Sequence, residues 1–455
     1  MRISNHIRRA SREAVVDGVR HIKRYHINSD KILSHKNPLV LNGISSVKKH
    51  TDATKNYSIG QSKINSFLAA SCLSHLLDGW LYLSNAFNAI LNGDEATAIH
   101  LSYYAELRSA MSILATEGIG VFSDKHIAVY SPSTNGEIPE NYYKGLAPNR
   151  KYVQPRYSTH TFVWDAMEKW ANSAYKPNNE ILKIFKVHGR DFHELTEFFH
   201  PSMVSSDLLT VQTVKDWLKD WCFDIKKYRN DRDSRNESSY RPQRIINFNQ
   251  TIDFKSIIKE LDKYWSIISP LGENKFSLLD KYLLRKLYDT LYSKVTTTSS
   301  KTELLTNAFT QLGINDQTLF NFLDYQSPFQ NDHVIFSQAS LKKTTSLSIL
   351  ARATLLLRIS VGLVSQLYKD GGIQKEELNF VWNQYGLDGG FWSPGNIYTD
   401  FNNLWTDVQS SLEDLKLDID SLGTNTNIYT IKSRKPQEII HFGQINRACL
   451  WGLDF

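Results

Sequence analysis

Four arginines lie in a polar segment, residues 228–242, that follows a helical pattern of apolar side chains. They are Arg229, Arg232, Arg235 and Arg241. The apolar residues recur every three or four positions and predict one helix over 211–235, whose inner face continues onto Arg232 and Arg235. A guanidinium on an inner face needs a partner, so the segment predicts an acidic neighbour, a helix interface or an anionic ligand.

Three polar residues, spaced four positions apart, share one side of a predicted helix: His100, Tyr104 and Arg108. Such a row can bind a phosphate or order a partner's carboxylate, and it can equally form a polar seam between two helices. Glu106, on an adjoining face of the same helix, is the candidate counter-ion for Arg232 or Arg235.

The sequence contains only weak signals for a metal site and none for a cofactor site. His193, Glu197 and His200 share a helical face, and Glu438 and His441 have the Glu-x-x-His spacing of carboxylate-bridged metal sites. The further inward glutamates of such sites are not apparent, and the chain has no phosphate loop, dinucleotide-binding glycine motif or nucleophile elbow. We therefore expect no metal and no cofactor.

Two segments together resemble the HEPN family of prokaryotic helical domains. They are the helix Leu-Ser-Tyr-Tyr-Ala-Glu-Leu-Arg-Ser-Ala at 101–110 and the later Arg-Asn-x-x-x-Tyr at 235–240. Members of that family are typically metal-independent ribonucleases of toxin–antitoxin, abortive-infection and CRISPR systems, and they work as dimers. By this resemblance Arg235 matches the motif arginine and Asn236 its polar follower, while Tyr240 stands where the family has histidine.

The resemblance implies attack of a ribose 2′-hydroxyl on the adjacent phosphate, with the arginine stabilising charge and the histidine moving the proton. A phenol with a pKa of about 10 is a poor general base near neutrality. Whether the chain is an enzyme is therefore open, and a non-catalytic scaffold is favoured over the ribonuclease.

Three functions follow as expectations. The first is an RNA- or nucleotide-binding scaffold or sensor subunit of a bacterial antiviral or stress defence system. The alternatives are a metal-independent endoribonuclease toxin and a protein–protein assembly subunit that binds no nucleic acid. The expected central trio is Arg235, Asn236 and Tyr240. The expected binding residues are Arg229, Arg232, Arg241, His100, Tyr104, Glu106 and Arg108.

Composition and periodicity predict a mainly α-helical protein of bundle lobes with a small β-hairpin insertion. The 455 residues are 41% hydrophobic and 12% aromatic, enough for a large core. Three widely spaced cysteines favour a reducing cytoplasm. The longest apolar run, 347–364, carries Arg352 and Arg358, so it is predicted to be a buried helix and not a membrane span.

The predicted organisation has three parts. Residues 1–60 hold twelve Lys or Arg and four acidic residues, and they form a basic helix with a linker arm from about residue 27. This arm either meets nucleic acid or an acidic protein surface, or docks on its own domain. The HEPN-like domain spans 61–247, with a hairpin and loop inserted at 119–160, and a C-terminal helical domain spans 248–455. A homo-oligomer or a partner protein of a defence system is expected, and no membrane.

Overall fold

The computed structural model describes residues 3–25, 61–122, 125–138, 158–172, 180–199, 207–221, 224–242, 254–270, 275–294, 299–378, 381–393, 402–421 and 428–453. Three parts of the predicted organisation lie outside these residues. They are the linker from residue 27 to 60, the later part of the insertion at 139–157, and the domain boundary between 247 and 248.

The described chain is mainly α-helical, as predicted. The helices of the first half are α1 (Ile3–Arg9), α2 (Arg12–Tyr25), α3 (Gln61–Leu91), α4 (Glu95–Thr116), α5 (Thr159–Ala171), α6 (Glu180–Lys183), α7 (Phe192–Phe199), α8 (Asp207–Trp221) and α9 (Ile225–Tyr240). Those of the second half are α10 (Phe254–Ile268), α11 (Ser277–Lys294), α12 (Lys301–Leu312), α13 (Gln317–Leu323), α14 (Val334–Ser340), α15 (Ser346–Asp370), α16 (Asn402–Ser421), α17 (Ile428–Arg434), α18 (Pro436–Gly443) and α19 (Ala448–Leu453). Short 3₁₀ and π-helical turns lie at Lys375–Leu378, Trp382–Gly386 and Ile445–Arg447.

The predicted hairpin is confirmed. Strand β1 (Ile119–Phe122) pairs with β2 (Lys125–Ser131) in antiparallel register, with Ile119 opposite Ala128. A third strand, β3 (Thr134–Ile138), continues the sheet beyond the hairpin. A separate two-residue pair joins β4 (Lys186–Val187) to β5 (Arg190–Asp191).

Three long helices form the centre of the molecule. Helices α3 and α4 follow each other along the chain and pack together, and α15, from the second half, packs against both. Helix α15 is long and apolar enough to cross a membrane, but almost all of it is buried inside the fold. Its Arg352 and Arg358 form ion pairs with buried aspartates. It is therefore a core helix, as predicted.

The described part of the basic N-terminal region is docked on the body. Helix α2 packs on α3 so closely that a Cβ added at Gly18 would lie 2.2 Å from the Asn65 carbonyl oxygen. Arg12 also forms an ion pair with Asp370 at the end of α15, at 2.8 Å. Of the two alternatives for this region, docking on its own domain is the one that these residues follow.

The single helix predicted over 211–235 is wrong. Helix α8 ends at Trp221, and α9 starts after Asp224, whose carboxylate caps it by accepting a hydrogen bond from the Lys226 N–H at 3.2 Å. An N-cap residue leaves helical geometry, so the apolar face of α8 cannot be extended onto α9. The buried side chains of α9 are Tyr228, Asp231 and Ser238, which share one face of the helix, whereas Arg232 and Arg235 are only partly buried.

Candidate functional site

A cavity of about 430 Å³ lies between α3, α4, β1 and the first turn of α5. Its apolar lining comes from Phe67, Ala70, Leu107, Met111, Ala115, Val121 and Phe122. Its polar lining comes from Ser71, Ser74, His75, Asp78, Tyr104, Arg108, Thr159 and His160. A cavity that combines apolar surface with converging polar groups is the usual form of a small-molecule site.

One polar wall of the cavity is built from α3 and α4. The Arg108 guanidinium donates from Nη1 to His75 Nδ1 at 3.0 Å and lies 3.5 Å from Asp78 Oδ2. Burial, and then the charge of Arg108, lowers the pKa of His75 to about 3. His75 is therefore neutral at physiological pH with its proton on Nε2, since Nδ1 accepts from the arginine.

Asp78 is the acceptor on the same wall. Burial raises the pKa of its carboxyl, and the nearby Arg108 opposes that rise. Its carboxylate oxygens accept no hydrogen bond from any residue in the described ranges, although about half of the side chain is covered. The wall thus places a guanidinium donor beside a carboxylate whose hydrogen-bonding capacity is largely unused.

A second part of the lining, one helical turn before Arg108, is formed by Tyr104, which joins α4 to α9. Its hydroxyl accepts a hydrogen bond from Arg235 Nη2, and the guanidinium carbon lies 4.9 Å from the centre of the Tyr104 ring. Arg235 Nη1 donates to Asn236 Oδ1 at 2.8 Å, while Nε is buried without a partner among the described residues. The ring of Tyr82 stacks on Tyr104 at 5.3 Å. Tyr104 is therefore held in one orientation.

His160 reaches this wall from α5. Its Nδ1 lies 3.0 Å from the hydroxyl of Tyr103, which also accepts from Trp164 Nε1 at 3.2 Å. The Tyr103 hydroxyl can then donate only to a neutral His160. Burial, followed by the charges of Arg235 and Arg232, lowers the pKa of His160 to about 4. Sequence reasoning missed this histidine, because no spacing along the chain connects α5 with α4 and α9.

The predicted polar row on α4 is both a seam and part of the cavity. Tyr104 and Arg108 line the cavity. His100 instead packs 5.0 Å from the Tyr104 ring and contacts Ser239 of α9 through Nδ1, at 2.7 Å. Burial, and then Arg235, lowers the pKa of His100.

The other residues predicted for the site are spread along α9. Arg229 forms ion pairs with Asp165 and Glu168 of α5, at 3.0 and 3.2 Å. Arg232 contacts its neighbour Asp233, and Arg241 is exposed.

The predicted trio does not assemble around Arg235. Asn236 contacts Arg235, but Tyr240 is 81% exposed and has no hydrogen bond or ring contact with any described residue.

The expected pairing of Glu106 with Arg232 or Arg235 is wrong. Glu106 is fully buried, with Oε1 3.4 Å from Arg352 Nε on α15. Arg352 also donates to both carboxylate oxygens of Asp231, at 2.6 and 2.8 Å. Glu106 faces the interior of the α4–α9–α15 interface because its side of α4 points towards Arg352 and away from Arg232 and Arg235.

This buried cluster holds two carboxyl groups and one guanidinium. Burial, and then the charge of Asp231, raises the pKa of Glu106 well above its ordinary value. Neither carboxyl oxygen of Glu106 has a hydrogen-bond donor among the described residues. A protonated Glu106 can itself donate to Asp231, so the neutral form satisfies the cluster.

Among the residues that the structure describes, no three or more His, Cys, Asp or Glu side chains are grouped to hold a metal ion. His193 lies 4.0 Å from Glu197, and His200 is outside the described residues. Glu438 lies 3.7 Å from Lys435, whereas His441 contacts Ser411.

Comparisons of the chain with protein-family models, with curated proteins and with solved structures found no match.

Proposed function

We propose that this chain binds a nucleotide, either free or as part of single-stranded RNA, with the base in the cavity and the phosphate near the arginines of α9. The observation that carries the proposal is the cavity between α3, α4, β1 and α5, which combines an apolar lining with a donor, an acceptor and an oriented tyrosine.

The size and lining of the cavity fit a nucleobase. A volume of about 430 Å³ falls within the usual range for small-molecule sites. Unpaired bases are recognised by aromatic faces together with hydrogen bonds to their polar edges. Phe67, Phe122 and Tyr104 supply aromatic surface, and Asp78 with Arg108 supplies polar groups.

The charges near the Tyr104 wall fit a phosphate. Arg235 contacts Tyr104, and its positive charge contributes to the lowered pKa of both His100 and His160. The charge therefore acts on that side of the cavity. Arg232 and Arg241 lie on the same helix and are partly or fully exposed. Arginine is well suited to bind phosphate oxygens through its paired donors.

Catalysis is the second candidate, and the position of His160 is the observation in its favour. Tyr240 projects into solvent, so it is poorly placed to act on a substrate held by Arg235. His160 brings an imidazole next to the Tyr104–Arg235 wall from another helix. The low pKa of His160 makes it a weak base, and we therefore favour binding over cleavage.

The relation to HEPN domains and a role in bacterial antiviral or stress defence remain part of this proposal, as does a cytoplasmic location. The family relation and the defence role rest on the sequence resemblance, and the location rests on the three widely spaced cysteines. The assembly alternative draws support from Arg229, whose ion pairs with Asp165 and Glu168 lie within the fold.

The test is a binding measurement with the full chain. A fluorescent single-stranded RNA of mixed sequence and the free nucleoside monophosphates are titrated at several salt concentrations. Binding that weakens with salt is expected, because phosphate contacts release counterions. Ser74→Trp, which fills the cavity from α3, should reduce affinity at least tenfold. The control is Ser293→Trp, at an exposed serine that likewise donates to its own helix backbone.

Two results would refute binding in the cavity. One is the absence of binding at low salt, and the other is an affinity that Ser74→Trp leaves unchanged. Incubation of the same protein with total RNA and a chelator, followed by a gel, separates binding from cleavage. Cleavage that persists in chelator and is lost in both Arg235→Ala and His160→Ala would favour the ribonuclease.

A further inference from the structure

We infer that Asp78 and Arg108 make the cavity selective for guanine among the bases. This inference rests on the proposed function, because it names the base that the same cavity takes.

The polar wall of the cavity presents two opposite charges next to each other. Arg108 Nη1 lies 3.5 Å from Asp78 Oδ2, so a cationic donor and an anionic acceptor stand side by side on the cavity lining. His75 Nδ1 accepts a hydrogen bond from Arg108 Nη1 at 3.0 Å. The imidazole is neutral, so it adds no charge to the wall. A ligand with adjacent acceptor and donor groups therefore complements this wall.

The Asp78 carboxylate can accept further hydrogen bonds. No residue in the described part of the chain donates a hydrogen bond to Asp78, and its ion-pair distance to Arg108 is longer than that of a hydrogen-bonded pair. A partly covered carboxylate with this little compensation gains most from a ligand that brings two donors, because each donor replaces lost water.

Guanine has the matching edge. Its N1–H and its 2-amino group can both donate to one carboxylate, while O6, next to N1, accepts from the guanidinium. Adenine would place the bare N1 acceptor against Asp78, which is repulsive. Uracil offers one N–H beside a carbonyl oxygen and lacks the second donor. Hypoxanthine differs from guanine only by the missing 2-amino group, so it isolates that contact.

The overall charge of the wall also suits a neutral base. The charges of Arg108 and Asp78 cancel, so the wall itself does not attract a phosphate. Arg235, which forms no ion pair with a described residue, lies on the Tyr104 side, where the phosphate of the same nucleotide is expected. The base is therefore expected beside Asp78 and Arg108, and the phosphate beside Tyr104 and Arg235.

Isothermal titration calorimetry of the full chain with GMP, IMP, AMP, UMP and XMP tests the inference. GMP is expected to bind at least tenfold more tightly than IMP, since a hydrogen bond to a charged group is lost, and AMP should bind more weakly still. Equal affinity for the five nucleotides would overturn guanine selection while leaving the proposed function in place. No binding of any of them would overturn guanine selection, and no binding of the single-stranded RNA either would overturn the proposed function as well.

A substitution that changes the preference gives a sharper result than one that only weakens binding. Asp78→Asn places an amide N–H where the carboxylate was, and xanthine has a carbonyl oxygen at C2 in place of the guanine amino group. The variant should therefore lose affinity for GMP and gain affinity for XMP, each by about tenfold.

The matched control is Asp220→Asn, at an exposed aspartate that lies 3.7 Å from Lys286 and away from the cavity lining. It should keep the preference for GMP. Thermal unfolding of both variants shows whether they fold. A folded Asp78→Asn protein that still prefers GMP over XMP would refute the assignment of Asp78.

Discussion

Replacing Glu106 by glutamine is expected to make the stability of the protein less sensitive to pH between pH 5 and pH 7. Glu106 lies in the interior with Asp231 and Arg352, and one guanidinium cannot neutralise two ionised carboxyl groups. The glutamine amide has the shape of the protonated acid and can donate to Asp231 in the same way. The variant therefore resembles the folded protein with Glu106 permanently protonated.

The sign follows from the direction of the pKa shift. Burial and the charge of Asp231 raise the pKa of Glu106 in the folded state. The stability that this shift contributes is fully present below the unfolded-state pKa, and it is lost as the pH rises towards the folded-state pKa. With an unfolded-state pKa of about 4.3, a proton retained throughout corresponds to a loss of about 2.6 kcal/mol between pH 5 and pH 7.

The assay is urea unfolding of the two proteins at pH 5, 6 and 7, followed by circular dichroism. The free energy of unfolding of Glu106→Gln, relative to the natural protein, should rise by up to that amount across the interval. Glu413→Gln, at an exposed glutamate of α16, is the control and should change little with pH. Parallel curves for Glu106→Gln and the natural protein would show that Glu106 is already ionised, and the reasoning would be refuted.

Three further substitutions test other contacts. Asp231→Leu should lower the free energy of unfolding by about 3–5 kcal/mol in urea titration, because it removes the carboxylate that accepts two charged hydrogen bonds from the buried Arg352; a loss below 1 kcal/mol would contradict this. Tyr104→Phe removes the acceptor of an Arg235 hydrogen bond and should destabilise by about 1–3 kcal/mol in the same measurement, whereas an unchanged midpoint would show that the bond contributes nothing. Gly18→Ala should destabilise by about 1–3 kcal/mol in thermal unfolding, because α2 must move away from α3, and an unchanged melting temperature would show that this contact is not tight.

The fold class could be predicted because periodicity reports local geometry. The hairpin at 119–130 and the buried helix at 346–370 both follow from apolar spacing that depends on a few neighbouring residues. The end of α8 could not be predicted in this way. Asp224 acts as an N-cap only in its folded setting, and its sequence neighbours continue the helical period.

The site was predicted less well because its partners are far apart along the chain. Tyr104 and Arg108 were identified from their spacing on α4, and both line the cavity. His160 and Arg352 were not connected to that helix, since only the folded packing of α5 and α15 brings them there. A pattern shows which face a residue occupies, and it does not show which helix will cover that face.

The attachment of α9 has a consequence for how fast a ligand could be captured. Asp231 is fixed to α15 by two charged hydrogen bonds, and Arg235 follows one helical turn later on α9. The arginine is thus carried by an element anchored in the core, so its backbone need not be ordered when a ligand arrives. Association should then occur in a single kinetic phase whose rate is proportional to ligand concentration, without a slow rearrangement after the encounter.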